Sequence, residues 1–212
     1  MGGHKASIKD NRGQMTGMKH KIGMMLVALT MVGAPVSAQG LASQGEAFLT
    51  ALREGNGSKA VSLADGRGST VVNYRGLDGE TALHIVTRLR NINWIGFLLA
   101  NGADPDAGNK QGDTALIIAA RSGYGEGVAE LLKARAQVDR TNRLGETALI
   151  VAVQQRYAPI VSTLLKLGAN PDRADHASGY SARDYAKRDS RSKDMLHLID
   201  TVKARVPMGP TR

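Results

Sequence analysis

The pentad Gly-Glu-Thr-Ala-Leu stands at 79–83 and returns at 145–149, with Gly-Asp-Thr-Ala-Leu at 112–116, so the copies are 33 residues apart. The likeness extends over whole segments, 78–110, 111–143 and 144–177, the last carrying one extra residue before Gly179. A fixed period of this length is too short for a domain. It demands one small supersecondary unit per repeat, and neighbours that cover each other's apolar faces.

The middle segment shows what the unit contains. Thr114 can cap a helix through its hydroxyl, and Ala115, Leu116, Ile118 and Ala119 then supply an apolar helical face. Ser122-Gly123 ends that helix, and Val128, Leu131 and Leu132 mark a second one at three-to-four spacing. Thr81 and Thr147 stand where Thr114 does. Helices of two or three turns are unstable alone, because nucleation costs more than so few turns return. Only stacking can hold them. Aromatic residues make up 4% of the chain and Trp94 is the sole tryptophan, so the shared core has to come from Ala, Leu, Ile and Val.

Both halves of the unit resemble the ankyrin-repeat motif. The resemblance rests on Gly79-Glu-Thr-Ala-Leu-His84, on Phe97-Leu-Leu-Ala-Asn-Gly-Ala-Asp-Pro-Asp106 and on Leu164-Leu-Lys-Leu-Gly-Ala-Asn-Pro-Asp172. It implies an all-alpha solenoid: β-hairpin plus helix-turn-helix units stacked into a curved array, over about residues 42–205. The family's proline after threonine is here Ala82, Ala115 and Ala148, which still start a helix well. Its histidine, which ties adjacent hairpin turns together, survives as His84 but becomes Ile117 and Ile150. His84 is therefore expected to be structural, as are Thr81, Thr114, Thr147 and the helix-ending Gly102 and Gly168. Arg135 occupies the matching left-handed position in the middle repeat, at a cost of about 1 kcal/mol.

The flanks read as caps. Residues 39–77 form a degenerate N-capping repeat, with helical stretches broken at Gly55-Asn56-Gly57. Residues 178–205 form a C-capping repeat, and 206–212 a loose tail. Ahead of these, Lys19 and Lys21 precede an apolar run from Ile22 to Val32 that ends in Ala34-Pro-Val-Ser-Ala38. This reads as an export leader over about 15–38, cut between Ala38 and Gln39, with 1–14 as an extra N-terminus. Export would make the mature chain periplasmic or secreted. Ile22 to Val36 is short of the roughly 20 residues that cross a bilayer, so no transmembrane span is expected in the mature chain.

Several function classes fall away. Without cysteine there are no disulfides and no thiolate chemistry. No catalytic residue, metal site or cofactor is expected: the five histidines are scattered, and Gly55-Asn-Gly-Ser-Lys-Ala60 lacks the spacing of a phosphate loop. The formal charge of +9 gathers in the leader and in 183–212, which leaves the repeat body near neutral and argues against nucleic acid.

What remains is binding. The resemblance implies protein–protein interaction, with a protein partner met on a concave face of hairpin tips and first helices; together with the leader it gives a scaffold of the cell envelope, expected to be monomeric. Two other roles stay open: a secreted effector or protective partner of a periplasmic enzyme, and an envelope-polymer binder acting through the basic C-terminal helix. The tips supply Asp78, Gln111 and Leu144, each followed by a glycine and then by Glu80, Asp113 or Glu146. The first-helix ends add Arg88, Arg90, Arg121, Gln155 and Arg156 as candidate contacts for a carboxylate. Tyr124 and Tyr157, one repeat apart, are candidate anchors, or simply covers for the inter-helix loops.

Overall fold

The computed structural model of the protein describes residues 36–65, 69–189 and 193–202. The leader read at 15–38 lies outside these residues apart from 36–38, and so does the tail at 206–212. Among the described residues eleven helices follow one another: α1 (Val36–Arg53), α2 (Gly57–Asp65), α3 (Ser69–Val72), α4 (Ala82–Arg88), α5 (Ile92–Ala100), α6 (Ala115–Arg121), α7 (Gly125–Lys133), α8 (Ala148–Gln154), α9 (Ala158–Lys166), α10 (Ala182–Arg188) and α11 (Lys193–Thr201). The pairs α4/α5, α6/α7, α8/α9 and α10/α11 recur with the sequence period. Each first helix packs on the next first helix, and each second helix on the next second helix.

The pentads explain these helices. Thr114 Oγ1 accepts from the Ile117 amide at 3.3 Å, Thr147 Oγ1 from Ile150 at 3.2 Å, and Ser181 Oγ from Asp184 at 3.2 Å. The pentad leucines Leu83, Leu116 and Leu149 are buried, and so are Leu98, Leu131 and Leu164 on the second helices. Both sets repeat every 33 residues, and all six leucines belong to one continuous core. Burying one such side chain contributes about 2 kcal/mol.

The fingers are tighter than hairpins. Pairing within a finger is reduced to the single bridges Gly108–Thr114 and Ala174–Ser181, and the described residues contain no extended strand. The reason is local: the helix cap follows two residues after the tip glycine, so no chain is left to extend a ladder. The tips bond to one another instead. The Lys110 amide donates to the Asp78 carbonyl at 3.1 Å, Arg143 to Gln111 at 2.9 Å, and His176 to Leu144 at 2.7 Å. The loops after the second helices join in the same way. Asn73, Asp106 and Asp139 accept from the amides of Asp104, Gln137 and Asn170 at 2.8–3.0 Å.

Left-handed backbone marks both helix breaks in each of the three units from α4 to α9. Gly102, Arg135 and Gly168 have φ of 81°, 64° and 91°, and Arg90, Gly123 and Arg156 have 55°, 68° and 61°. The arginines adopt a conformation that glycine takes without strain. At the N-terminal end, α1 buries Phe48, Leu49 and Leu52 against α4, and α3 is a short helix that the sequence does not announce.

Candidate protein-binding face

The side chains expected to meet a partner divide into two groups, according to whether the fold uses them itself. The acids behind the tips are turned inward. Glu80 and Asp113 are each 7% exposed. Arg88, eight residues on, is ion-paired to Glu80 through Nη2 and Oε1. Arg121 is forked onto Asp113, with Nη1 on Oδ2 and Nη2 3.1 Å from Oδ1. Asn142 donates to both Asp113 Oδ1 (2.9 Å) and Glu146 Oε2 (2.8 Å), and Arg121 Nη2 lies 3.6 Å from Glu146. Burial acts to raise the Asp113 carboxyl, but the hydrogen bonds from Arg121 and Asn142 outweigh it and hold the group below the ordinary aspartate value.

Two of the expected contact arginines are therefore partners of the acids behind the tips, Arg88 of Glu80 and Arg121 of Asp113. Arg156 Nε reaches Asp189 at 2.5 Å, and Arg90 donates to the Ser122 carbonyl at 3.2 Å. Arg183 lies between Asp172 and Asp200, and Lys187 is 4.0 Å from Asp184. Arg183 and Lys187 of α10 thus turn to the fold's own acids, while Arg188 donates to the Tyr180 hydroxyl at 2.9 Å.

The tyrosines take different places despite their matching positions. Tyr124 is 6% exposed, lies against Gly127 and sits under the Arg90 guanidinium at 5.3 Å. It is a packing residue and offers a partner no anchor. Tyr157 is half-buried and lies over Gly123, where an added Cβ would come within 2.7 Å of the ring. Each tyrosine covers the inter-helix loop of the preceding unit.

His84 joins two fingers. Its Nε2 donates to the Asp113 carbonyl at 2.9 Å, and its Nδ1 accepts from the Thr81 amide at 3.1 Å. Those partners require the neutral ring with the proton on Nε2. Burial lowers its pKa below 6.5, and the carbonyl of Asp113 and the charge of Glu80 oppose this only in part; Arg75 and Arg88 add to the lowering. A depressed histidine pKa means that the unfolded chain binds the proton more readily. Stability from this group is complete above about pH 6.5 and is lost as pH falls toward the folded value. The urea midpoint should therefore fall between about pH 7.5 and pH 5.5. His84→Ile, which copies Ile117 and Ile150, should flatten that slope. An unchanged slope in the variant would assign the pH dependence elsewhere.

Gln111, Asp113, Arg121 and Leu144 are brought together, with Lys110, Asn142 and Arg143, around a groove of about 570 Å³ between the second and third tips. Leu144 is half-exposed on its rim. Asp78, Glu80 and Arg88 lie one unit earlier; Glu80 and Arg88 line a smaller hollow of about 220 Å³ with Arg53 and Leu89. Gln155 is exposed at the end of α8, next to Arg156 on the rim of a third hollow. The sequence reading missed the residues that shape the tips. Asn109, Asn142 and Asp175 each accept two amides across the turn, at 2.7–3.0 Å. Their recurrence every 33 residues was a signal for them.

Among the described residues no cluster of three or more His, Asp or Glu side chains is placed to hold a metal, and no helix is long and apolar enough to cross a membrane. The fold and face define a stacked helix-pair array, a class that presents surface rather than an enclosed active site. The family description that matches is ankyrin repeats (3 copies), over residues 42–142 and again over 98–175. More than half of the sequence is covered, and the chain belongs to the ankyrin-repeat family, whose members generally mediate protein–protein interactions. No curated protein matches it.

Proposed function

We propose that this chain is an exported, non-catalytic scaffold that holds one protein partner against its finger tips and first helices. The groove between the second and third tips carries the reading. It holds about 570 Å³, and Lys110, Gln111, Arg143 and Leu144 on it are exposed and take little part in the fold's own side-chain network. Such a rim of polar, cationic and apolar groups suits a protein surface.

Affinity capture with the full chain tests the face. Gln111→Ala, Leu144→Ser and Gln155→Ala, combined, should reduce capture of the partner on the order of tenfold, a loss of about 1.4 kcal/mol. Circular dichroism should stay unchanged, because all three side chains are exposed. Undiminished capture would move the interface to another surface.

The export half rests on Lys19, Lys21 and the apolar run ending at Ala38. Helix α1 already includes the Ala38–Gln39 bond, and cleavage there leaves every core residue from Phe48 onward in place. Protein recovered from the envelope fraction should begin at Gln39. An intact N-terminus confined to the cytosolic fraction would remove this half of the proposal.

A further inference from the structure

We infer that the partner offers an extended acidic peptide, whose carboxylates are gripped one per unit by the finger row. This rests on the finger face being the binding surface and adds the chemistry of what it binds. Position 77 recurs as Leu77, Lys110, Arg143 and His176. Lys110 and Arg143 are exposed and make no ion pair among the described residues, whereas the finger acids are all engaged from within. Asp78, the one exposed tip acid, lies 3.7 Å from Arg53. Along the finger row, then, Glu80, Asp113 and Glu146 are paired from within, while the side chains of Lys110 and Arg143 face outward without an ion pair among the described residues.

The cations are also held in place. Their own amides form the bonds to Asp78 and Gln111 that tie finger to finger. A fixed backbone lowers the ordering cost of binding. Helices stacked unit on unit lie about 8–10 Å apart, and an extended polyproline-type chain advances about 9 Å in three residues. Acidic residues at every third position would therefore meet Lys110 and Arg143 in turn, and Leu144 offers an apolar contact between them. A single nucleic-acid strand fits less well. The groove lining holds no aromatic platform for bases, and the carboxylates of Asp113 and Glu146 lie beneath.

The test is fluorescence anisotropy on the full chain. The probe is a labelled peptide of about twelve residues repeating Glu-Pro-Ala; the comparators are its Gln-Pro-Ala counterpart, a peptide with the same glutamates contiguous, and an oligothymidine. The spaced acidic peptide should bind best, and more weakly as salt rises. Lys110→Gln with Arg143→Gln should weaken it on the order of tenfold, while Lys59→Gln with Lys166→Gln on the second helices should leave it unchanged. Equal binding of the glutamine peptide, equal binding of the contiguous one, tighter binding of the oligonucleotide, or indifference to the Lys110/Arg143 pair each overturns the inference. If no peptide binds but the Gln111/Leu144/Gln155 variant still loses its captured partner, the finger face stands and the acidic chemistry falls. If that variant also keeps its partner, both fall.

Discussion

Gly145→Ala is expected to destabilise the array by about 3 kcal/mol, a large effect for a single methyl group on a turn. Two terms add. Gly145 has φ of 79°, where an L side chain is strained by about 1 kcal/mol. The new Cβ would also stand 2.5 Å from the His176 amide nitrogen, the donor that bonds Leu144 and joins the third finger to the fourth. Backbone cannot move aside there without breaking that bond. Gly179 separates the terms. It has φ of 73° but nothing within 4 Å of an added Cβ, so Gly179→Ala should show the strain alone, about 1 kcal/mol. Urea unfolding followed by far-UV circular dichroism measures both. Equal losses would mean that finger-to-finger approach contributes nothing.

The comparison also shows what a single sequence displays and what it hides. The period, the threonine caps and the leucine columns were legible because each is a local pattern repeated in register. Thr114 and Leu116 state their roles within one helical turn, and position 149 repeats position 116. The break at Gly55-Asn56-Gly57 was legible too, since α1 ends at Arg53 and α2 starts at Gly57. The engagement of Glu80 by Arg88 and of Asp113 by Arg121 was not. Those pairs are eight residues apart and close across the turn from finger to helix, a separation that helical periodicity does not relate. Tyr124 and Tyr157 were read alike because their positions match. Their surroundings from the previous unit differ, a guanidinium from Arg90 over the ring in one case and the bare Gly123 against it in the other. The hairpin was overstated because residues 108–114 carry both a tip and the approach to a cap, with room for only one bridge.

Arg121→Ala should destabilise by about 2 kcal/mol, more than a side chain 41% exposed would suggest. The loss arises at its partner. The Asp113 side chain is 11% exposed and would keep only the Asn142 amide, with Glu146 close by and no cation between the two carboxylates. Removing one member of a fully buried pair costs about 3–5 kcal/mol, and water reaching the open side of this one reduces that figure. The sign with pH follows. Asp113 titrates below 3.8 in the folded chain, so the stability it brings is present above that value and lost as pH falls through the folded one. The gap between wild type and variant should therefore be widest near neutral pH and should narrow in acid. Asp113→Asn combined with Arg121→Ala should lose less than the two single changes added together, because position 113 then carries no unpaired buried charge. Strict additivity, or a gap that does not narrow in acid, would show that the fork is not what holds Arg121 to the fold. The same reasoning decides which substitutions can report on recognition. A partner lost from an Arg121 variant reports folding first, and residues whose side chains the fold does not use, Lys110, Gln111, Arg143, Leu144 and Gln155, report on binding.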